Sequence, residues 1–126
     1  MKLKLIIILF FIASFAFLSC KKNAGPGGKN SISGSVVFKN GATGNNDAAP
    51  MATISVAYGT DESTTTFNQT ILTDASGKYS IEGLNKGKYF IKAGYTDVHG
   101  FSYSTPGHGI TITNKKAKLE LNIVLE

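Results

Sequence analysis

From Ser31 onward, apolar and polar residues alternate with a period of two. Ile32, Gly34, Val36 and Phe38 share one face of a first run, and Ala52, Ile54, Val56 and Tyr58 share one face of a second. That period belongs to a strand with one face on a core and the other in water. Thr64–Thr73 is Thr-rich with Phe67 and Ile71 on one parity, which predicts a strand facing largely outward. Tyr79 and Ile81 alternate with Lys78, Ser80 and Glu82, and Tyr89, Ile91, Ala93 and Tyr95 alternate with Lys88, Phe90 and Lys92. Phe101 and Tyr103 precede a Pro106-Gly107 break, after which Ile110 and Ile112 point inward. Leu119, Leu121, Ile123 and Leu125 give the last strand. About seven strands at this spacing predict one all-β, antiparallel Greek-key sandwich over residues 31–126.

The connections agree with that pattern. Asn40–Pro50 is polar, Gly-rich and closed by proline, so it is a loop. Asp74-Ala75-Ser76-Gly77 suits a turn, because an Asp side chain bonds nearby amides and Gly tolerates positive φ. Gly83 and Gly87 bracket Leu84-Asn85-Lys86, a short connection in which Leu84 is expected to fold inward as a plug. The stretch Asp74–Tyr95, with its Asp-x-x-Gly-x-Tyr-x-Ile-x-x-Leu-x-x-Gly-x-Tyr-x-Ile-x-Ala spacing, resembles the carboxypeptidase regulatory-like, transthyretin-like (prealbumin-like) domains. The collagen-adhesin B-type repeats are close relatives of these. The resemblance implies a seven-stranded sandwich with an accessory or anchoring role and no catalysis.

Upstream, Met1-Lys2-Leu3-Lys4 is followed by an apolar run from Leu5 to Leu18 and then Ser19-Cys20. A short basic start and about 14 apolar residues match a secretion signal; a membrane-spanning helix wants roughly 20. Residues 1–19 are therefore expected to be a signal peptide. Phe17-Leu18-Ser19-Cys20 resembles a bacterial lipobox of the looser, Bacteroidetes type. The resemblance implies that Cys20 carries the acyl groups, palmitate among them, as the new N-terminus of an outer-membrane lipoprotein. Cys20 is the single cysteine, so no disulfide braces the domain. Residues 20–30 are Gly-rich and poor in apolar groups, which predicts a lipid anchor followed by a flexible linker. Lys21, Lys22 and Asn23 stand where acidic surface-export signals occur in those lipoproteins, which favours the periplasmic face.

Charge refines the picture. The chain carries a net +5, yet five of its thirteen lysines precede Ser31, so eight lysines face eight carboxylates in 31–126. The basic balance belongs to the leader and linker, and no arginine is present to read phosphate or base edges, so no nucleic-acid partner is expected.

Candidate chemistry is thin. His99 and His108, with Asp97 nearby, fall short of the three or four convergent ligands of a metal site, and no Ser or Thr has a base and an orienting acid beside it. Asp74, Ser76 and Gly77 lack the bidentate acid of a calcium loop. Lys39 and Asn122 invite comparison with the isopeptide bond of the adhesin repeats, but Ala93 stands where their buried acid would be. No enzyme activity and no cofactor are expected. What remains is an accessory or binding module held at the membrane, with a structural or adhesive envelope protein, or a carbohydrate-binding module, as alternatives. Partners are the membrane, through the N-terminal lipid, and an envelope protein or glycan. Phe90, Phe101 and Tyr103 are the candidate stacking rings. If every connection reverses the chain, Asn40–Pro50, Asp74–Gly77 and Thr96–Gly100 share the end farthest from the tether, where a partner would bind.

Overall fold

The computed structural model describes residues 23–126, so Cys20 and the leader lie outside the described residues. Among the described residues ten strands make two sheets: β1 (Pro26–Lys39), β2 (Asn46–Ala48), β3 (Thr53–Tyr58), β4 (Gln69–Leu72), β5 (Lys78–Leu84), β6 (Gly87–Thr96), β7 (Ser102–Ser104), β8 (His108–Ile112), β9 (Lys118–Glu120) and β10 (Ile123–Leu125). In the first sheet β1 is central. It runs antiparallel to β5 and then β2 on one side, and parallel to β9 and then β10 on the other. In the second sheet β6 lies between β3 and the β8 and β7 pair, with β4 at the edge beyond β3.

The alternating positions supply the core. Ile32, Val36, Ile54, Val56, Ile81, Tyr89, Ile91, Ile123 and Leu125 are buried between the sheets, and Leu84 plugs one end as expected. Burying each of the large aliphatic side chains among these is worth about 1.5–3 kcal/mol. The expected strand count rises for two reasons: Leu121-Asn122 separates β9 from β10, and Asn46–Ala48, inside the segment 40–50 expected to be a loop, pairs with the end of β1 as β2, whereas the break between β7 and β8 falls at the expected Pro106-Gly107. The first break has a local cause. The Leu121 amide still donates to the Ser33 carbonyl at 2.8 Å, but the Leu121 carbonyl occupies the place a Cβ at residue 34 would take, so only Gly34 fits. That carbonyl accepts the Tyr79 hydroxyl at 2.6 Å, and the Asn122 side chain takes the Ser35 amide at 3.0 Å.

Three expectations need correction. The sandwich is mostly rather than wholly antiparallel, since the last strand lies parallel to β1. The linker expected over 20–30 ends early, because β1 starts at Pro26 and Asn30 is buried, donating to the Leu84 carbonyl at 3.1 Å and accepting the Ala117 amide. Gly28 lies against the Leu84 backbone, so part of the glycine content that resembles a spacer permits close packing. Phe90, expected on the polar parity, is 4 % exposed, covered by Gly107 and stacked with Phe67 at 6.5 Å.

Strand directions define two ends. The chain enters β1 at a base that also holds the connections 59–68, 85–86 and 113–117. The opposite, distal end holds 40–52, 73–77 and 97–101. One side of the sandwich is closed, since Ser104 and Glu126 exchange backbone hydrogen bonds at 3.2 and 3.3 Å and join β7 to the end of β10.

Candidate functional site

The distal end is built from three turns that use one device. Asn40 accepts the Ala42 amide on its side chain at 2.9 Å. Asp74 Oδ1 accepts the amides of Ser76 and Lys78 at 2.9 Å each. Asp97 Oδ1 does the same for His99 and Phe101, also at 2.9 Å. In each of the last two a glycine closes the turn with positive φ, 78° at Gly77 and 87° at Gly100. Asp97-Val98-His99-Gly100 thus repeats the spacing of Asp74-Ala75-Ser76-Gly77, a signal present in the sequence that the reading by alternation passed over.

These bonds set the charge state of the acids. The Lys78 amide, with the Ser76 hydroxyl and amide, holds the Asp74 carboxyl below its ordinary value. Around Asp97 desolvation pulls upward but is outweighed by the amides of Phe101 and His99 and by the Tyr103 hydroxyl, so this carboxyl too lies low. Both acids are therefore anionic across the neutral range and committed to their own loops.

Beside the Asp97 turn an open cleft of about 450 Å³ spans the rim of the second sheet. Tyr95, Thr96, Ser102 and Tyr103 form one wall, Thr53 and Gly94 the floor, and Pro50 and Met51 the other lip. Tyr95 and Tyr103 are positioned by Phe38, whose ring centroid lies 4.9 Å from each, and Tyr103 reaches Asp97 Oδ2 at 3.3 Å. Thr96 and Ser102 hydroxyls meet at 3.2 Å. The opposite lip is fixed by Thr73, a buried residue whose hydroxyl accepts the Ala52 amide at 2.8 Å and donates to the Ala49 carbonyl at 2.6 Å. Met51 stands on that lip with φ 57°, the single non-glycine residue at positive φ among the described residues, and is 65 % exposed. Holding a methionine there costs backbone strain of order 1–3 kcal/mol, a cost that concentrates at functional sites. Among the described residues, no charged side chain lines the cleft.

Of the three candidate rings, Phe101 alone is openly displayed, 65 % exposed next to the cleft; Tyr103 is half-buried and Phe90 is covered. Val98 at the loop tip is also exposed. His99 lies in the Asp97 turn while His108 opens β8 opposite Ile91. No group of three His, Cys, Asp or Glu is placed to hold a metal ion among the described residues. Lys39 and Asn122 are not brought into a bond: Asn122 is held by Ser35 and Glu120.

No protein-family model matches the chain, and no curated protein does. Solved structures share the fold. A protein from Pseudomonas aeruginosa proposed to bind carbohydrate superposes with a TM-score of 0.55 at 12% identity, covering 80% of this chain and 91% of that one. A variant of BcpA, the major pilin subunit of Bacillus cereus, gives 0.54 at 14% identity over 79% of this chain and 30% of the pilin.

Proposed function

We propose that the chain is a non-catalytic envelope module, anchored by a lipid on Cys20, that uses its distal cleft to hold a neutral glycan. The observation that carries the reading is the placement of the cleft. Met51 from one lip and Val98 and Phe101 from the Asp97 turn, three of the five large apolar side chains exposed among the described residues, gather at the end opposite the point where the chain enters β1. A cleft whose described lining carries hydroxyls and tyrosine rings and no lysine or carboxylate suits an uncharged polyhydroxy ligand, with Phe101 beside it as the apolar platform. The likeness to the Pseudomonas protein supports the same class of ligand. The pilin likeness supports the adhesive alternative, in which Phe101 and Val98 meet a protein partner instead. Lys21, Lys22 and Asn23 support a periplasm-facing outer-membrane location.

The test is saturation-transfer NMR on the purified protein with a panel of neutral oligosaccharides. Transfer to at least one of them, reduced at least tenfold in Phe101→Ala and in Thr96→Val, is the expected result. No transfer from any sugar, or transfer indifferent to both substitutions, refutes the glycan reading. For the anchor, detergent-phase partitioning of wild type and Cys20→Ala must differ; equal partitioning refutes it.

A further inference from the structure

The base of the sandwich holds the incoming chain in place. Tyr89, fully buried, accepts the Gly25 amide on its hydroxyl at 2.8 Å and donates to the Asn85 carbonyl at 2.7 Å. The Asn85 amide donates back to the Gly25 carbonyl at 2.8 Å, and its side chain donates to the Pro26 carbonyl at 3.0 Å. Tyr58 packs edge-on against Tyr89 at 5.8 Å, and Ala24 packs against the core beside Gly87. The segment is therefore part of the domain from Ala24 onward. Ala24 lies four positions beyond Cys20, a span of at most about 14 Å of extended chain, against about 38 Å if the domain began at Ser31.

The same end is basic. Lys29, Lys86, Lys88, Lys115, Lys116 and Lys118 are all exposed and all lie at the base, on the start of β1, the β5–β6 connection, the start of β6 and the β8–β9 connection with the start of β9. The carboxylates of that half are fewer than its lysines. Glu82 and Glu120 are on strands, with Glu120 engaged by Asn122, Asp61 has its own backbone against Gly109 of β8, and Glu62 is exposed in the β3–β4 connection. The distal end instead collects Asp47, Asp74, Asp97 and Glu126 against Lys39 and Lys78. A domain that from Ala24 onward carries nine lysines and eight carboxylates is thus polarised along its strands, basic where the chain enters and acidic at the far end.

We infer that the base is a membrane-seating surface: its lysines rest on the phosphates of an anionic leaflet, fixing the domain upright with the cleft directed away. The inference rests on the Cys20 anchor, because the short remaining chain is what brings the lysines within a screening length, about 8–10 Å, of the headgroups. Each lysine held near such a surface favours the seated state by about fivefold.

The experiment uses the full chain, purified from membranes and reconstituted into vesicles, with one thiol probe at Asn114→Cys or Val98→Cys. A quencher is carried on the lipid headgroups. In vesicles containing phosphatidylglycerol the probe at 114 should be quenched strongly and the probe at 98 weakly. Adding Lys115→Gln and Lys116→Gln, both in an exposed connection, should lower the seated-to-lifted ratio at 114 by about 25-fold, and pure phosphatidylcholine should do at least the same. Equal quenching at 98 and 114, or quenching at 114 indifferent both to lipid charge and to the two substitutions, overturns the inference. Failure of the anchor is read separately in the parent chain, where a Cys20 that takes the thiol probe carries no thioether.

Discussion

Tyr79→Phe isolates the hydroxyl that repairs the interrupted last strand. Tyr79 is 6 % exposed, and its hydroxyl donates at 2.6 Å to the Leu121 carbonyl, which has turned off the β1 ladder over Gly34. Phenylalanine fits the same space, so the change removes one hydrogen bond and leaves a shielded carbonyl without its donor. The cost of such an orphaned group is about 1–3 kcal/mol. For a domain of this size each 1 kcal/mol lowers Tm by about 4–8 °C. A second arm uses pH. Burial pushes the Tyr79 hydroxyl up to about 12, while an unfolded tyrosine titrates near 10. The folded chain therefore holds its proton more tightly than the unfolded chain. The contribution is fully present below pH ~10 and is lost as pH rises through the folded value, so wild-type stability falls across that window. The variant should melt lower at neutral pH and lose less stability on the alkaline side; desolvation also raises Tyr58 and Tyr89, so some alkaline loss remains. Thermal unfolding followed by circular dichroism from neutral pH to about 12 checks both arms. A variant with the wild-type Tm and the wild-type alkaline slope would show that the Leu121 carbonyl gains nothing from Tyr79.

Other substitutions probe the base and the outer layer. Gly87→Val should destabilise by more than about 1 kcal/mol by chemical denaturation, since φ is 144° and an added Cβ would lie 2.6 Å from that of Ala24; an unchanged midpoint refutes the clash. Tyr89→Phe should speed hydrogen exchange at the Gly25 amide at least tenfold while the amides of β3 stay protected, because it removes the hydroxyl that accepts Gly25; unchanged exchange at Gly25 would mean that Asn85 alone holds the segment. Thr105→Val should be neutral or stabilising, by up to about 1 kcal/mol, because Thr105 Oγ1 is buried without a partner; a Tm loss of several degrees would reveal an acceptor the hydroxyl serves.

Alternation located nearly every core side chain because a strand's period is local: Ile32, Val36, Ile54, Val56, Ile81, Ile91, Ile123 and Leu125 follow from neighbours two residues away. The features it misses depend on partners far along the chain. Pro26–Asn30 has spacer composition, and partners far along the chain, such as the Leu84 carbonyl and the Ala117 amide, 54 and 87 residues from Asn30, make it strand. Phe90 sits on the polar parity, yet Phe67 and Gly107 cover it through tertiary contacts that no two-residue period encodes. The parallel pairing of β1 with β9 and β10 is invisible for the same reason. At the distal end the loops could be assigned by counting reversals, and Asp97-x-x-Gly100 was legible as a turn by analogy with Asp74-x-x-Gly77. The cleft was not, because its lips come from Pro50-Met51 and from the β6–β7 hairpin, which only the fold brings together.

The parallel neighbours β1 and β10 also decide how the domain answers a pull. The chain enters β1 at the base and leaves β10 at the distal end, so a load between those two points runs along the strands. Such a load slides β1 past β9 and β10 and strains the ladder from Ser31↔Lys118 to Phe38↔Leu125 together rather than peeling it pair by pair. The Ser104–Glu126 exchange adds a cross-sheet tie at the far end of the same strand. A ligand gripped at the rim by a domain fixed at its foot would therefore be held against drag by the fold's stiffest direction.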